Sequence, residues 1–218
     1  MNIEAKICGL STAETVRTAL DAGASYVGFV FYPPSPRNIS IEKAAELAEI
    51  VKEDALKVGV FVNPDDALLH DVFKQVDLDV IQLHGNETVE RVQYIRNRFS
   101  KIVMKAISVA SLSDIARAKE YQTKVDMLLF DAKAPLEMDD ALPGGNGLSF
   151  DWNLISGYQW HVPWMLSGGL DEANVAKAIK ISGAKIVDVS SGIEVKPGQK
   201  DVTKIKSFIK AVEATQND

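Results

Sequence analysis

Cysteine is almost absent from this chain: Cys8 is the only one in 218 residues. A lone thiol excludes an internal disulfide and suits a reducing compartment. Long apolar runs are missing too, and none approaches the ~18 residues of a membrane span. The stretch MNIEAK at the start lacks the basic-then-apolar pattern of a secretory signal. The expectation is a cytoplasmic protein with no membrane partner. Positive charge is in deficit, with 24 basic against 30 acidic residues and a formal net charge of −6. That field disfavours nucleic acid as a partner. An anionic small ligand would need local positive spots, such as one arginine or a helix N-terminus. No pair of His, Cys or acidic residues has metal-ligand spacing. No G-x-G-x-x-G follows the first strand-like run, so the dinucleotide fingerprint is missing.

What the chain has is alternation. Short apolar runs rich in Val, Ile and Phe lie at 3–7, 26–31, 56–62, 79–84, 101–107, 125–130, 163–167 and 184–190. Such runs suit strands buried on both faces. Helical patterns follow them near 12–22, 40–53, 65–76, 87–98, 111–120, 151–157, 171–182 and 201–215. Ser11, Ser40, Ser111, Asp151, Asp171 and Asp201 are the expected N-caps, and Gly183 the expected C-cap of the helix at 171–182. Hydrophobic residues at 46% suffice for a substantial core. Eight strand–helix units of roughly 27 residues fit a closed barrel better than an open doubly wound sheet. The fold class is α/β, a single (β/α)8 TIM barrel spanning 1–218. One connection, 132–148, is long for a compact domain, and such loops are usually functional or disordered.

Alternate strand residues point to opposite faces. In the first strand Ile3, Ala5 and Ile7 should face the helices, which turns Glu4, Lys6 and Cys8 into the barrel. The same rule places Gln82 and His84 inside from the fourth strand, Asp131 from the sixth, and Asp188 and Ser190 from the eighth. Barrel enzymes keep their chemistry at the C-terminal strand ends, so Cys8, His84, Asp131 and Ser190 should meet on one rim. Each alone has a bland reading as core filler, cap or ion-pair partner; their convergence points to chemistry. Lys6, on the face of Cys8, is positioned to lower the thiol pKa.

Two glycine motifs leave the last two strands. LSGGLDEANV (166–175) passes through Gly168 and Gly169, and DVSSGIE (188–194) through Ser190, Ser191 and Gly192. Glycines let backbone N–H groups approach an anion closely. The loops after strands seven and eight are the recurrent phosphate site of these barrels. GGNG (144–147), with Gly145, is a further candidate for close backbone approach.

Taken together, KICGL (6–10), FVFYPPSPRNIS (29–40), QLHG (82–85), LLFDAK (128–133), GGNGLSFDW (144–152), LSGGL (166–170) and DVSSGIE (188–194) resemble the phosphoribosylanthranilate isomerases of tryptophan biosynthesis. The motifs occur in family order and span nearly the whole chain. Ser11 stands where the family usually has threonine, and Asn146 where it has threonine or serine; both keep a polar group. The resemblance implies an Amadori rearrangement of N-(5-phosphoribosyl)anthranilate to 1-(2-carboxyphenylamino)-1-deoxyribulose 5-phosphate. By that analogy Asp131 is the general acid, kept protonated by burial, and Cys8 the general base; Arg37 is the partner of the anthranilate carboxylate. Lys6, Gln82, His84, Gly145, Gly168, Gly169, Asp188, Ser190, Ser191 and Gly192 join Arg37 as expected substrate-binding residues. The chemistry requires no cofactor and no metal. The expected partner is a small sugar phosphate, with the chain a monomer or homodimer.

Two other readings compete with this one. The related isomerase of histidine biosynthesis acts on a substrate with two phosphates, and its family has an aspartate on strand one and a second glycine-rich loop after strands three and four. Here strand one ends in Cys8 and the loop after strand three reads NPDD (63–66), a poor phosphate cradle. A barrel that only senses a sugar phosphate would have lost its catalytic groups, whereas Cys8 and Asp131 both remain.

Overall fold

The computed structural model of the chain describes residues 3–135 and 142–215. Eight parallel strands close a barrel in sequential order: β1 (Glu4–Cys8), β2 (Tyr26–Phe31), β3 (Leu56–Phe61), β4 (Val80–Leu83), β5 (Ile102–Val109), β6 (Met127–Ala132), β7 (Trp164–Leu166) and β8 (Ile186–Val189). Strand β1 pairs with β2 through Cys8 and Gly28, and with β8 through Lys6 and Asp188. Seven α-helices surround the barrel among the described residues: α1 (Ala13–Asp21), α2 (Ile41–Val51), α3 (Asp66–Gln75), α4 (Val89–Phe99), α5 (Leu112–Tyr121), α6 (Val175–Ser182) and α7 (Val202–Ala214).

Strand alternation divides the apolar residues into two layers. Inside the barrel pack Val30, Val58, Val60, Val80, Met104, Met127, Leu129 and Met165, with Cys8 at their upper edge. Between strands and helices pack the other face of the same strands, including Ile7, Phe29, Phe31, Phe61, Leu83 and Phe130, against helix residues such as Leu47, Leu69, Ile95 and Phe208. The helices start where a side-chain oxygen takes up an otherwise unpaired backbone N–H. Ser40 accepts from Lys43 N–H, Thr88 from Arg91 N–H, and Asp201 from Thr203 and Lys204 N–H.

Several expected boundaries differ. Helix α1 is capped by Thr12 rather than Ser11, because it is Thr12 whose Oγ1 stands 3.2 Å from the N–H three residues on. Helix α6 begins at Val175, not at 171. Asp171 Oδ1 accepts from Ala173 and Asn174 N–H and Asn174 Oδ1 from Asp171 N–H, so the expected cap residue takes up backbone N–H groups in a reciprocal capping-box pattern, on a turn that precedes the regular helix. The expected helix at 151–157 is only a 3₁₀ turn, Trp152–Leu154, followed by Gly157 at φ +76°. Aromatic side chains cover this sector instead: Phe130 meets Trp160 and Trp164 at ring-centroid distances of 5.0 and 5.7 Å. An unforeseen hairpin of β9 (Glu194–Lys196) and β10 (Gln199–Lys200) stands between β8 and α7. Of the long connection 132–148, residues 136–141 lie outside the described residues.

Candidate active site

The interior of the barrel is apolar for most of its height and becomes ionic near the top. Lys6, wholly buried, donates to Asp188 Oδ1 at 2.7 Å, and Ser167 Oγ donates to Asp188 Oδ2 at 2.9 Å. Burial opposes the charge on Lys6, but Asp188 and Cys8 outweigh it and hold the ammonium above its ordinary pKa. Cys8 lies one alternation above Lys6 on β1. Burial pushes its thiol up; Lys6 and Lys200 pull it down and Asp188 adds to the rise, with a raised value as the result. The expected lowering by Lys6 is thus real as a contribution and outweighed by desolvation.

Across the barrel, β4 and β6 deliver a second polar chain. Gln82 Nε2 is 2.8 Å from His84 Nδ1, and His84 Nε2 is 3.1 Å from Asp131 Oδ2. The other Asp131 oxygen, Oδ1, accepts from the Ala132 N–H at 2.8 Å. With the amide nitrogen of Gln82 donating to Nδ1, His84 carries its hydrogen on Nε2 and donates to Asp131. Half a turn of the amide reverses both bonds. Gly144 closes over this pair: a Cβ there would stand 2.5 Å from His84 Nε2 and 2.6 Å from Asp131 Oδ2.

Arg37, after β2, is buried rather than solvated. Its Nε and Nη2 donate to Glu194 Oε1 and Oε2 at 2.8 and 2.9 Å, and Nη2 also to the Gly145 carbonyl at 3.1 Å. Lys200 donates to Glu194 Oε1 at 2.8 Å and to the Ser190 carbonyl at 2.9 Å. Burial works against the Glu194 carboxylate, yet the hydrogen bonds and charges of Arg37 and Lys200 hold its pKa below the usual value.

One cleft, open to solvent, joins the Cys8 side of the barrel, the His84–Asp131 pair and Arg37. Cys8, Arg37, Gln82, His84, Asp131, Gly145, Gly168, Gly169, Asp188, Ser190 and Ser191 all line it. Lys6 and Gly192 stand behind the lining: Lys6 beneath Asp188, and Gly192 so tight against the Leu170 carbonyl oxygen that a Cβ would collide with it. Ser167, Glu194 and Lys200 escaped the sequence reading. The signal that could have found the last two is the Pro197-Gly198 turn of the hairpin that carries them. Ser167 follows β7 and had no motif beyond LSGGL. Among the described residues no group of three or more His, Cys, Asp or Glu side chains is placed to hold a metal ion. No helix there is long and apolar enough to cross a membrane.

Residues 5–211 match the family model described as N-(5'phosphoribosyl)anthranilate (PRA) isomerase. The chain belongs to this family. A protein of Paramagnetospirillum magneticum named N-(5'-phosphoribosyl)anthranilate isomerase is 53% identical over 211 residues, 97% of each chain. The solved phosphoribosyl anthranilate isomerase of Thermotoga maritima superimposes with a TM-score of 0.86 at 38% identity, covering 97% of this chain and 99% of that one. A structure of such an isomerase in complex with reduced 1-(o-carboxyphenylamino)-1-deoxyribulose 5-phosphate matches with a TM-score of 0.83 at 36% identity, covering 97% and 99%.

Proposed function

We propose that the cleft performs the isomerase reaction of tryptophan biosynthesis, with Asp131 as general acid and Cys8 as general base. The observation that carries this reading is that Cys8 and Asp131, from β1 and β6, line the same cleft as the loops after β7 and β8. The substrate is N-(5-phosphoribosyl)anthranilate. Asp131 gives its proton to the furanose ring oxygen; the C1–O bond breaks and the nitrogen lone pair completes an iminium. Oδ1 of Asp131 is engaged by a backbone N–H, so the proton is delivered from Oδ2, the oxygen beside His84. The iminium acidifies C2, and Cys8 thiolate removes that proton to give an enolamine. Loss of the enol proton and protonation at C1 yield the ketone. Because the iminium acidifies C2, a strong base is unnecessary, and the nearby Lys6 and Lys200 favour the thiolate form.

His84 and Gln82 support the acid. Glutamine offers either a donor or an acceptor to Nδ1, so it accommodates both tautomers as Asp131 loses and regains its proton. Lys6 and Asp188 act below the substrate: the ammonium favours thiolate at Cys8. The backbone around Gly168, Gly169 and Ser191 receives the phosphate, with Gly192 packed behind it, and Arg37 receives the ring carboxylate. Glu194 already engages two of the three guanidinium nitrogens, so the carboxylate is met by Nη1 rather than by a free two-nitrogen fork. The lone thiol at the centre suits a reducing cytoplasm.

The deciding experiment is turnover of purified protein with phosphoribosylanthranilate generated in situ, followed by the change in anthranilate fluorescence. Absence of enzyme-dependent consumption overturns the reading.

A further inference from the structure

A buried set of hydrogen bonds at the rim serves Arg37, which takes no part in the proposed proton transfers. Between β8 and α7 the chain builds the β9–β10 hairpin and folds its tip against the loop after β2. A Cβ on Gly198 at the tip, where φ is +83°, would collide with the Pro36 carbonyl oxygen. From the hairpin base Glu194 grips Arg37 with both carboxylate oxygens. Lys200, on the facing strand, locks Glu194 in turn and also reaches the Ser190 carbonyl and hydroxyl at 2.9 and 3.1 Å. All three charged side chains are buried, and their formal charges leave one net positive charge beside the cleft. Among the described residues Arg37 Nη1 has no hydrogen-bond partner. It lies beside Gly145, where a Cβ would stand 2.5 Å away.

We infer that Glu194, anchored by Lys200, is a positioning residue that sets specificity: it fixes Arg37 with Nη1 toward the cleft and trims the local charge to match one carboxylate. The inference rests on the isomerase reading and on Arg37 as the carboxylate partner. Its physical content is preorganisation, because a long side chain already held in place loses less freedom when the ligand arrives. The coupling to Ser190 makes the same hairpin a mechanical link between the carboxylate and phosphate ends of the substrate.

The test compares two ligands, the reduced product and the same compound without its ring carboxylate, by calorimetric titration. Glu194→Gln keeps the shape and removes the charge. It should weaken the carboxylate ligand about tenfold or more, the worth of one charge-assisted hydrogen bond, and leave the other ligand unchanged. KM should rise by the same factor with kcat nearly constant. Glu194→Asp keeps the charge that buried Arg37 and Lys200 require, and so the fold, and should show the same selective loss to a smaller extent. In Arg37→Ala, adding Glu194→Gln should cost nothing further. Equal loss for both ligands, or no loss in either Glu194 variant, overturns the inference. If Arg37→Ala itself binds both ligands like the wild type, it is the carboxylate assignment that fails; if Arg37→Ala discriminates and the Glu194 variants do not, only the role of Glu194 fails.

Discussion

Two buried lysines show how this barrel uses ionic groups. Lys6 points into the barrel and is 0% exposed; Lys105, on β5, points outward beneath the helices and is 2% exposed. Each has one carboxylate partner at close range, Asp188 at 2.7 Å and Glu87 at 2.8 Å. Their surroundings differ. Lys6 has the Cys8 thiol beside it, and its partner Asp188 lines the cleft. Lys105 has backbone: it donates to the Gly85 carbonyl at 2.8 Å and the Leu83 carbonyl at 3.3 Å. Glu87 answers by accepting from the N–H groups of Asn63 and Gly85. The inner pair stands against the thiol proposed as the base, and the outer pair bonds the loop that follows His84. The electrostatics agree: Asp188 and Cys8 outweigh burial at Lys6, whereas burial wins at Lys105 and lowers its pKa. Buried charge in this fold therefore has two uses, and they respond to different measurements.

The largest effects should come from the inner region and appear in turnover alone. Cys8→Ala removes the proposed base, and Asp131→Asn keeps the shape of the proposed acid without its proton. Each should lower kcat by the ~10²–10⁴-fold typical of general acid–base catalysis, with the thermal midpoint nearly unchanged for Cys8→Ala. Burial raises the Cys8 pKa, so thiolate accumulates only as pH climbs. Alkylation of the wild-type thiol by iodoacetamide, which reads the thiolate alone, should keep accelerating above the ordinary thiol value of ~8.5, and a rate already level below that value would contradict the raised pKa. A folded Cys8→Ala with wild-type turnover would remove Cys8 from the mechanism.

The outer pair should break in the opposite sense. Lys105→Met leaves Glu87, only 4% exposed, as a buried charge without its cation. Breaking such a pair typically costs about 3–5 kcal/mol, measurable by urea unfolding. Turnover per folded molecule should fall far less than in Cys8→Ala. A variant as stable as the wild type but inactive would place Lys105 with the inner group and dissolve the distinction.

How much of this was legible in the sequence follows the same division. Inward-facing residues obey a period of two, so alternation alone sent Lys6, Cys8, Gln82, His84, Asp131 and Asp188 to the interior. Loop geometry has no period. Nothing in DVSSGIE says that Glu194 will bond a residue 157 positions away, because that contact depends on the whole barrel closing. The expected helix at 151–157 failed for a related reason: only the 3₁₀ turn Trp152–Leu154 forms, and beyond it the half-buried Trp160 packs on Phe130 of β6, a contact that the local pattern does not encode. Burial also reversed the net effect expected at Cys8, since spacing reveals a neighbouring lysine and not the loss of water around the thiol.

A smaller effect should distinguish the role of Gln82. Gln82→Leu keeps the bulk and removes the partner of His84 Nδ1. The ring then loses the bond that fixes its tautomer, and kcat should fall about tenfold, the worth of roughly one hydrogen bond. Gln82→Glu should be worse than leucine despite keeping a hydrogen bond. A carboxylate accepts only, favours a doubly protonated ring, and so leaves Asp131 ionised without a proton to give. If glutamate instead outperforms leucine at neutral pH, the amide does not serve both tautomers.

The finest comparison deletes one hydroxyl from each region. Ser167 Oγ donates to Asp188 Oδ2 at 2.9 Å, and Tyr121 Oη donates to the Glu87 carbonyl at 2.9 Å. The two bonds match in length and differ in what they serve. Asp188 keeps Lys6 when Ser167 becomes alanine, but one of its oxygens is then left open beside the cleft, and the carboxylate is freer to rotate away from the ammonium under Cys8. A hydrogen bond to a charged acceptor is worth about 1.5–3 kcal/mol, so Ser167→Ala should lower kcat/KM by roughly tenfold with a small change in stability. Tyr121→Phe loses a bond to a neutral carbonyl, about 0.5–1.5 kcal/mol. Its ring still packs beneath Lys105, 5.8 Å from ring centroid to Nζ, so the loop keeps its shape. That variant should show a slightly lower thermal midpoint and unchanged steady-state kinetics. If the tyrosine variant instead loses activity while the serine variant loses only stability, the inner and outer networks have been assigned the wrong way round.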